Sequence, residues 1–108
     1  MRALRNGLAL TLALGSAALA EPVTLVALGD SLTAGYGLAD PGAGLVPQLE
    51  AWLKARGHEV VVQNAGVSGD TTAGGLSRIG WALGPEADAL IVTLGGNDML
   101  RGIDPGEA

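Results

Sequence analysis

Three short polar clusters, each following an apolar run, hold the residues of this chain that can do covalent chemistry: "GDSLT" at 29–33, "NAGVSGDTT" at 64–72 and "GGND" at 95–98. Ser31 can attack a carbonyl carbon. Its own backbone N–H, at the start of a following helical turn, can donate to the oxyanion that results. Gly69 offers a second N–H with no side chain to obstruct approach. Asn97 offers a side-chain NH2, a neutral donor that stabilises negative charge without acting as a competing acid. Taken together the three describe acyl transfer. Taken singly, each has a plainer reading: Ser31 as a helix N-cap, Gly69-Asp70 as a tight turn with a cap, and Asn97-Asp98 as a turn pair. Asp30 and Asp70 read as turn and cap groups, because aspartate hydrogen-bonds its own following backbone.

What decides between these readings is whether the clusters meet. Val23–Leu28 is a short, nearly continuous apolar run, the pattern of a strand buried on both faces of a parallel sheet. "TAGYGLADPGAG" is too dense in turn residues for helix and reads as a surface loop. From Leu45, apolar residues recur at helical intervals (Leu45, Leu49, Trp52, Leu53), with Pro47 tolerable in the first turn and Gly57 placed to end the helix. His58–Gln63 reads as a second strand. Asp70, Thr71 or Thr72 can cap a further helix with Leu76, Ile79 and Leu83 on its apolar face, weakened by Gly74, Gly75 and Gly80. Pro85 punctuates, and Ala89–Leu94 is a third apolar strand. Alternating strands and helices imply right-handed crossovers and a parallel sheet covered by helices. Loops that follow parallel strands open on one edge, so Ser31, Gly69 and Asn97 are expected to converge there.

The first twenty residues differ in kind. Arg2 and Arg5 precede an apolar segment at Leu8–Leu14, and Ala18-Leu19-Ala20 is a small-x-small cleavage site before Glu21, the layout of a secretory signal peptide. The apolar run is too short for a spanning helix, so no stable membrane insertion is expected, and the domain proper is read as 21–108. Removing residues 1–20 takes away Arg2 and Arg5 and no acid, leaving four basic residues against eleven acidic, a formal charge of −7. That balance argues against nucleic acid or an anionic membrane surface as partner. With no cysteine in the sequence, stability rests on the apolar core without disulfide staples.

"LGDSLTAGYG", "NAGVSGDTT" and "LGGNDMLRG", in this order and spacing, closely resemble the signature blocks of the SGNH (GDSL) hydrolase family. Within it the resemblance is to the exported bacterial branch of arylesterases, acyl thioesterases and lysophospholipases, and it covers nearly all of 22–104. It implies Ser31 as nucleophile, with Ser31 N–H, Gly69 N–H and the Asn97 side chain as the oxyanion hole. It also implies a three-layer α/β/α fold with a flavodoxin-like parallel sheet, of which these residues supply the first three strands. The expected substrates are small-molecule carboxylic esters, thioesters or lysophospholipids. No metal or other cofactor is implied, and the expected location is periplasmic or secreted.

The family's remaining signature, an Asp-x-x-His carrying the general base, has no match: the chain closes on "RGIDPGEA". His58, the one histidine, opens the second strand and so stands at the opposite edge of the sheet from the loops. A strand of about six residues at about 3.3 Å each separates them by roughly 20 Å, beyond the reach of a base. Two explanations fit, an N-terminal portion of a longer hydrolase or a complete protein that has lost catalysis. The unprotected strand "ALIVTLGG" favours the first, and the expectation is a portion that is inactive as it stands and prone to aggregate. Two rivals from other classes remain. A nucleotide- or phosphate-binding module is disfavoured by the acidic charge and by "GYGLADPG", which lacks the third glycine of a dinucleotide fingerprint. A non-catalytic protein that grips acyl or acetylated ligands in the oxyanion loops is the stronger alternative. Tyr36, Leu38 and Met99 are candidate pocket walls that serve equally well as ordinary packing.

Overall fold

The computed structural model describes residues 21–108. The segment read as a signal peptide lies outside the described residues. Strand β1 (Val23–Gly29) is central in a three-stranded sheet of order β2-β1-β3, with β2 at Val60–Gly66 and β3 at Ala89–Thr93. Both pairings are parallel, in a register that sets Val23 beside Val60, Gly29 beside Gly66 and Gly29 beside Thr93. The three strands therefore end level with one another, which is what brings their following loops together.

Side chains of β1 alternate between two covered faces. Leu25 and Ala27 join Val60 and Val62 of β2 against Val46, Leu49 and Leu53 of helix α2 (Leu45–Ala55). Val26 and Leu28 point the other way and are fully buried, each contributing about 1.5–3 kcal/mol by removal from water. On that face lies helix α3 (Thr72–Leu83), close enough that a Cβ on Gly75 would collide with Leu94 and touch Leu28. The result is helix, sheet, helix: the three-layer α/β/α arrangement with the first three strands of a flavodoxin-like sheet. Among the described strands β3 is an outer one, with Ile91 and Val92 exposed.

Local chemistry explains the boundaries. Pro47 sits in the first turn of α2, where its missing N–H costs nothing. The helix ends at Gly57, whose φ is +86, with Gly57 N–H donating to Lys54 and His58 N–H to Leu53. That is a Schellman closure, and it makes His58 part of the helix end rather than the opening of a strand. Strand β2 starts two residues later than the sequence pattern indicates and runs on to Gly66, because Gln63, Asn64 and Ala65 continue the ladder with β1.

Two further expectations are corrected. The apolar face of α2 is carried by Val46, Leu49 and Leu53; Leu45 and Trp52 are 46% and 52% exposed, and the Arg56 guanidinium lies 3.6 Å over the Trp52 ring. Leu76, expected on the inner face of α3, is exposed, while Ile79 and Leu83 are half-buried. The loop at 33–44 also contains more structure than its composition indicates. It begins inside a one-turn helix, α1 (Ser31–Ala34), and holds a 3-10 turn at Pro41–Ala43 capped by Asp40.

Candidate active site

Ser31 is the first residue of α1, immediately beyond the buried end of β1. The helix is capped by Asp30, whose Oδ1 accepts from Leu32 N at 3.0 Å. Capping is thus done by the preceding aspartate, and the Ser31 hydroxyl is not spent on it. The turn cannot drift from β2, since a Cβ on Gly66 would collide with Ala34 N and come within 2.9 Å of the Asp30 carbonyl. Only glycine allows the two backbones this close. Asn64 reinforces the contact, donating from Nδ2 to the Thr33 carbonyl (3.1 Å) while its Oδ1 accepts from Gly66 N.

Gly69 occupies the turn that follows β2. Asp70 N–H donates to the Val67 carbonyl and Val67 N–H to the Gly29 carbonyl, so this loop is stitched directly to the end of the strand that delivers Ser31. Gly69 has φ +83, a left-handed conformation that favours glycine. A second constraint is the guanidinium of Arg101, whose Nη2 donates to the Gly69 carbonyl at 2.6 Å and would stand 3.4 Å from a Cβ at this position.

Asn97 lies in helix α4 (Gly96–Leu100), which begins just after β3. Its Nδ2 donates to the Asp70 carbonyl at 2.9 Å. An amide NH2 carries two hydrogens; one fixes the side chain against the Gly69-Asp70 turn, and the second has no acceptor among the described residues. Ser31, Gly69 and Asn97, 66 residues apart at their extremes, thus share one sheet edge and one connected set of hydrogen bonds. His58 lies at the other edge, beside Glu21, Val23 and Glu59 in a cavity of about 420 Å³ at the amino ends of the strands.

Two aspartates prove structural, each in its own way. Asp70 does not cap α3; Thr71 does, accepting from Gly74 N through its hydroxyl. The Asp70 carboxylate instead pairs with Arg78, Nε to Oδ2 at 2.7 Å. Asp98 is buried and accepts from Thr72 twice, from Oγ1 at 2.6 Å and from the backbone N at 2.8 Å. It therefore ties α4 to the start of α3. The Thr72 hydroxyl bond, then its N–H, and more weakly the charge of Arg101, hold the Asp98 carboxyl below the usual aspartate range.

A depressed folded-state pKa means that the stabilisation is complete above the unfolded value of about 3.9 and is lost as pH falls through the lower folded value. Asp98→Asn is accordingly expected to lower Tm near neutral pH, with the gap to the parent protein closing below about pH 4. Thermal unfolding of both across that range checks it; a gap that stays constant to pH 2 would contradict it.

Beside α4, Gly95, Asp98, Met99, Ile103 and Pro105 line a cavity of about 630 Å³. Met99 is exposed there, and Tyr36 and Leu38 are exposed on the loop after α1. Among the described residues, no group of three or more His, Cys, Asp or Glu is placed to hold a metal ion, and no helix is long and apolar enough to cross a membrane.

The GDSL-like lipase/acylhydrolase family matches residues 27–108. Esterase TesA of Pseudomonas aeruginosa is 47% identical over 85 residues, a match covering 78% of this chain and 42% of the relative. Thioesterase 1/protease 1/lysophospholipase L1 of Escherichia coli is 40% identical over 83 residues, covering 76% and 38%. Among solved structures, the SGNH-hydrolase family esterase AlinE4 superposes with a TM-score of 0.76 at 48% identity, over 82% of this chain and 48% of that one. The chain thus spans less than half the length of each of these relatives.

Proposed function

The chain belongs to the GDSL-like lipase/acylhydrolase family, and on that premise we propose that its residues form the nucleophile and oxyanion half of a serine esterase or thioesterase site. The observation that carries the reading is the shared sheet edge. Asn97 Nδ2 is bonded to the Gly69-Asp70 turn, and that turn is bonded through Val67 to the strand end that carries Ser31.

In the proposed reaction Ser31 Oγ attacks the carbonyl carbon of an ester or thioester while its proton passes to a general base. The carbonyl oxygen becomes the oxyanion and receives hydrogen bonds from Ser31 N–H, Gly69 N–H and Asn97 Nδ2–H. Collapse of this intermediate expels the alcohol or thiol, which takes up the proton, and leaves an acyl group on Ser31. Water then attacks the acyl carbon while the same base takes its proton, and collapse of that second intermediate breaks the bond to Ser31 Oγ, which recovers the proton as the carboxylic acid leaves. The base is the part that these 108 residues do not supply. Level with Val60 in register, Val23 stands six residues before Gly29, so His58, beyond Val60, is about 20 Å from Ser31 by strand rise. We assign the base to a histidine outside residues 1–108, held by an aspartate three residues before it. Short aryl esters are the proposed first substrates, with thioesters and lysophospholipids as further candidates. Export after cleavage at Ala20-Glu21 completes the proposal.

Hydrolysis of p-nitrophenyl acetate tests it. The full-length protein containing the base is expected to turn the ester over, and residues 21–108 alone to show at most background. Ester binding without turnover by the full-length protein would favour the acyl-binding alternative instead.

A further inference from the structure

Arg78 stands on α3, on none of the three loops that carry Ser31, Gly69 and Asn97, yet its guanidinium reaches the supports of all three. Nη2 donates to the Gly29 carbonyl at 3.0 Å, two residues before Ser31. Nη1 donates to the Ala65 carbonyl at 2.8 Å, near the end of β2. Nε donates to Asp70 Oδ2 at 2.7 Å, in the residue that follows Gly69. The Asp70 carbonyl is in turn the acceptor that holds Asn97 Nδ2. The ion pair is largely shielded, with side-chain exposures of 19% for Arg78 and 13% for Asp70.

We propose that Arg78 is a positioning residue for the oxyanion hole: one rigid cation fixes the spacing between the Ser31 turn, the Gly69 turn and the Asn97 side chain. The chemistry favours arginine in particular. A guanidinium is planar, with donors fixed relative to one another, so three acceptors bound to it are held at set separations. A lysine ammonium, a single point on a flexible stem, cannot span the two strand ends and the carboxylate in that way. Charge alone does not need this arrangement, since Asp70 is neutralised by one of the three bonds. The two bonds to the Gly29 and Ala65 carbonyls go to residues that are already paired in the sheet register, and what they add is location. Oxyanion donors act only when aimed where charge develops, and a displacement of about 1 Å is enough to cost about 10²-fold in rate.

The proposal rests on the reading of Ser31, Gly69 and Asn97 given above, and its test separates the two. In the full-length protein, Arg78→Lys and Asp70→Asn are compared with the parent and with Ser31→Ala. Steady-state hydrolysis of p-nitrophenyl acetate is measured per folded molecule, the folded fraction being taken from circular dichroism. Arg78→Lys is expected to lower kcat by about 30- to 100-fold with KM changed less than about threefold. Asp70→Asn keeps both carbonyl bonds of Arg78 and is expected to lower kcat by about tenfold, again with KM nearly constant. It also provides the readout should Arg78→Lys fail to fold. A purely structural staple predicts something else: lower Tm, with kcat per folded molecule within threefold of the parent in every variant that folds. That result, or a rise in KM at constant kcat, overturns the role assigned to Arg78 while leaving Ser31 untouched. Full turnover by Ser31→Ala overturns the site reading itself, and the role of Arg78 with it.

Discussion

Replacing Ser31 by alanine in the full-length protein is expected to reduce kcat for p-nitrophenyl acetate by on the order of 10⁵-fold or more, the scale of nucleophile removal in serine hydrolases. The fold should hardly notice. Ser31 is half-buried at the first position of a one-turn helix whose cap is Asp30, so removing its hydroxyl deletes no structural hydrogen bond of the cap. Loss of turnover with unchanged circular dichroism and a Tm within about 2 °C is therefore the expected pair of observations, in line with the small effects of exposed or half-buried substitutions away from special features. A small residual rate above water would reflect the oxyanion donors acting without a nucleophile.

Asn97→Ala is the second large effect. Removing one oxyanion donor costs about 10²–10³ in kcat, or about 2.7–4 kcal/mol of transition-state stabilisation, and KM should change little because the bond strengthens as charge develops. Asn97 also braces the Asp70 carbonyl, so part of the loss would come from a looser turn at Gly69. Asn97→Asp separates the two contributions. It preserves the shape but presents a carboxylate to the oxyanion, and should be at least as inactive as the alanine variant. Activity of Asn97→Asp near the parent level would remove Asn97 from the hole.

The sheet was legible because its strands are short, apolar and rich in β-branched residues, and because each is followed by a turn cluster. The common loop edge follows from parallel crossovers, whereas the order β2-β1-β3 is what the family resemblance implies, since right-handed crossovers allow β1-β2-β3 equally well. The two helices were legible as elements, less so as faces. Trp52 reads as inward because it recurs at a helical interval with Leu45, Leu49 and Leu53, but its ring lies outside, under Arg56, while the smaller Val46 takes the core position. Spacing alone fits either stripe. The sequence pattern ends strand β2 at Gln63 because Asn64 opens a cluster of turn residues. In the fold, Asn64 bonds to Thr33 and Gly66 and stays within the ladder.

At the site, the convergence of Ser31, Gly69 and Asn97 on one sheet edge is legible in the sequence from the loops that carry them, whereas the groups that brace those loops are not. Asp98 looked like half of a turn pair; its double bond to Thr72 joins positions 26 residues apart and has no local signature. Arg101 is equally silent. A signal did exist for Arg78: it is one of four basic residues after position 20, set in a helix otherwise composed of small and apolar residues. A lone arginine in such a helix must find acceptors, because burying its charge without them is costly.

The most direct test is where an ester-mimicking electrophile attaches. A fluorophosphonate loses fluoride to a nucleophilic serine oxygen and leaves a tetrahedral phosphonyl group that occupies the oxyanion position. In the full-length protein, peptide mapping by mass spectrometry is expected to find one phosphonyl group, on Ser31, with the rate of its formation slowed at least tenfold by Asn97→Ala, a fraction of the loss of one oxyanion donor. Complete loss of hydrolysis with the phosphonyl group on another residue, or continued hydrolysis with Ser31 unmodified, would contradict the account.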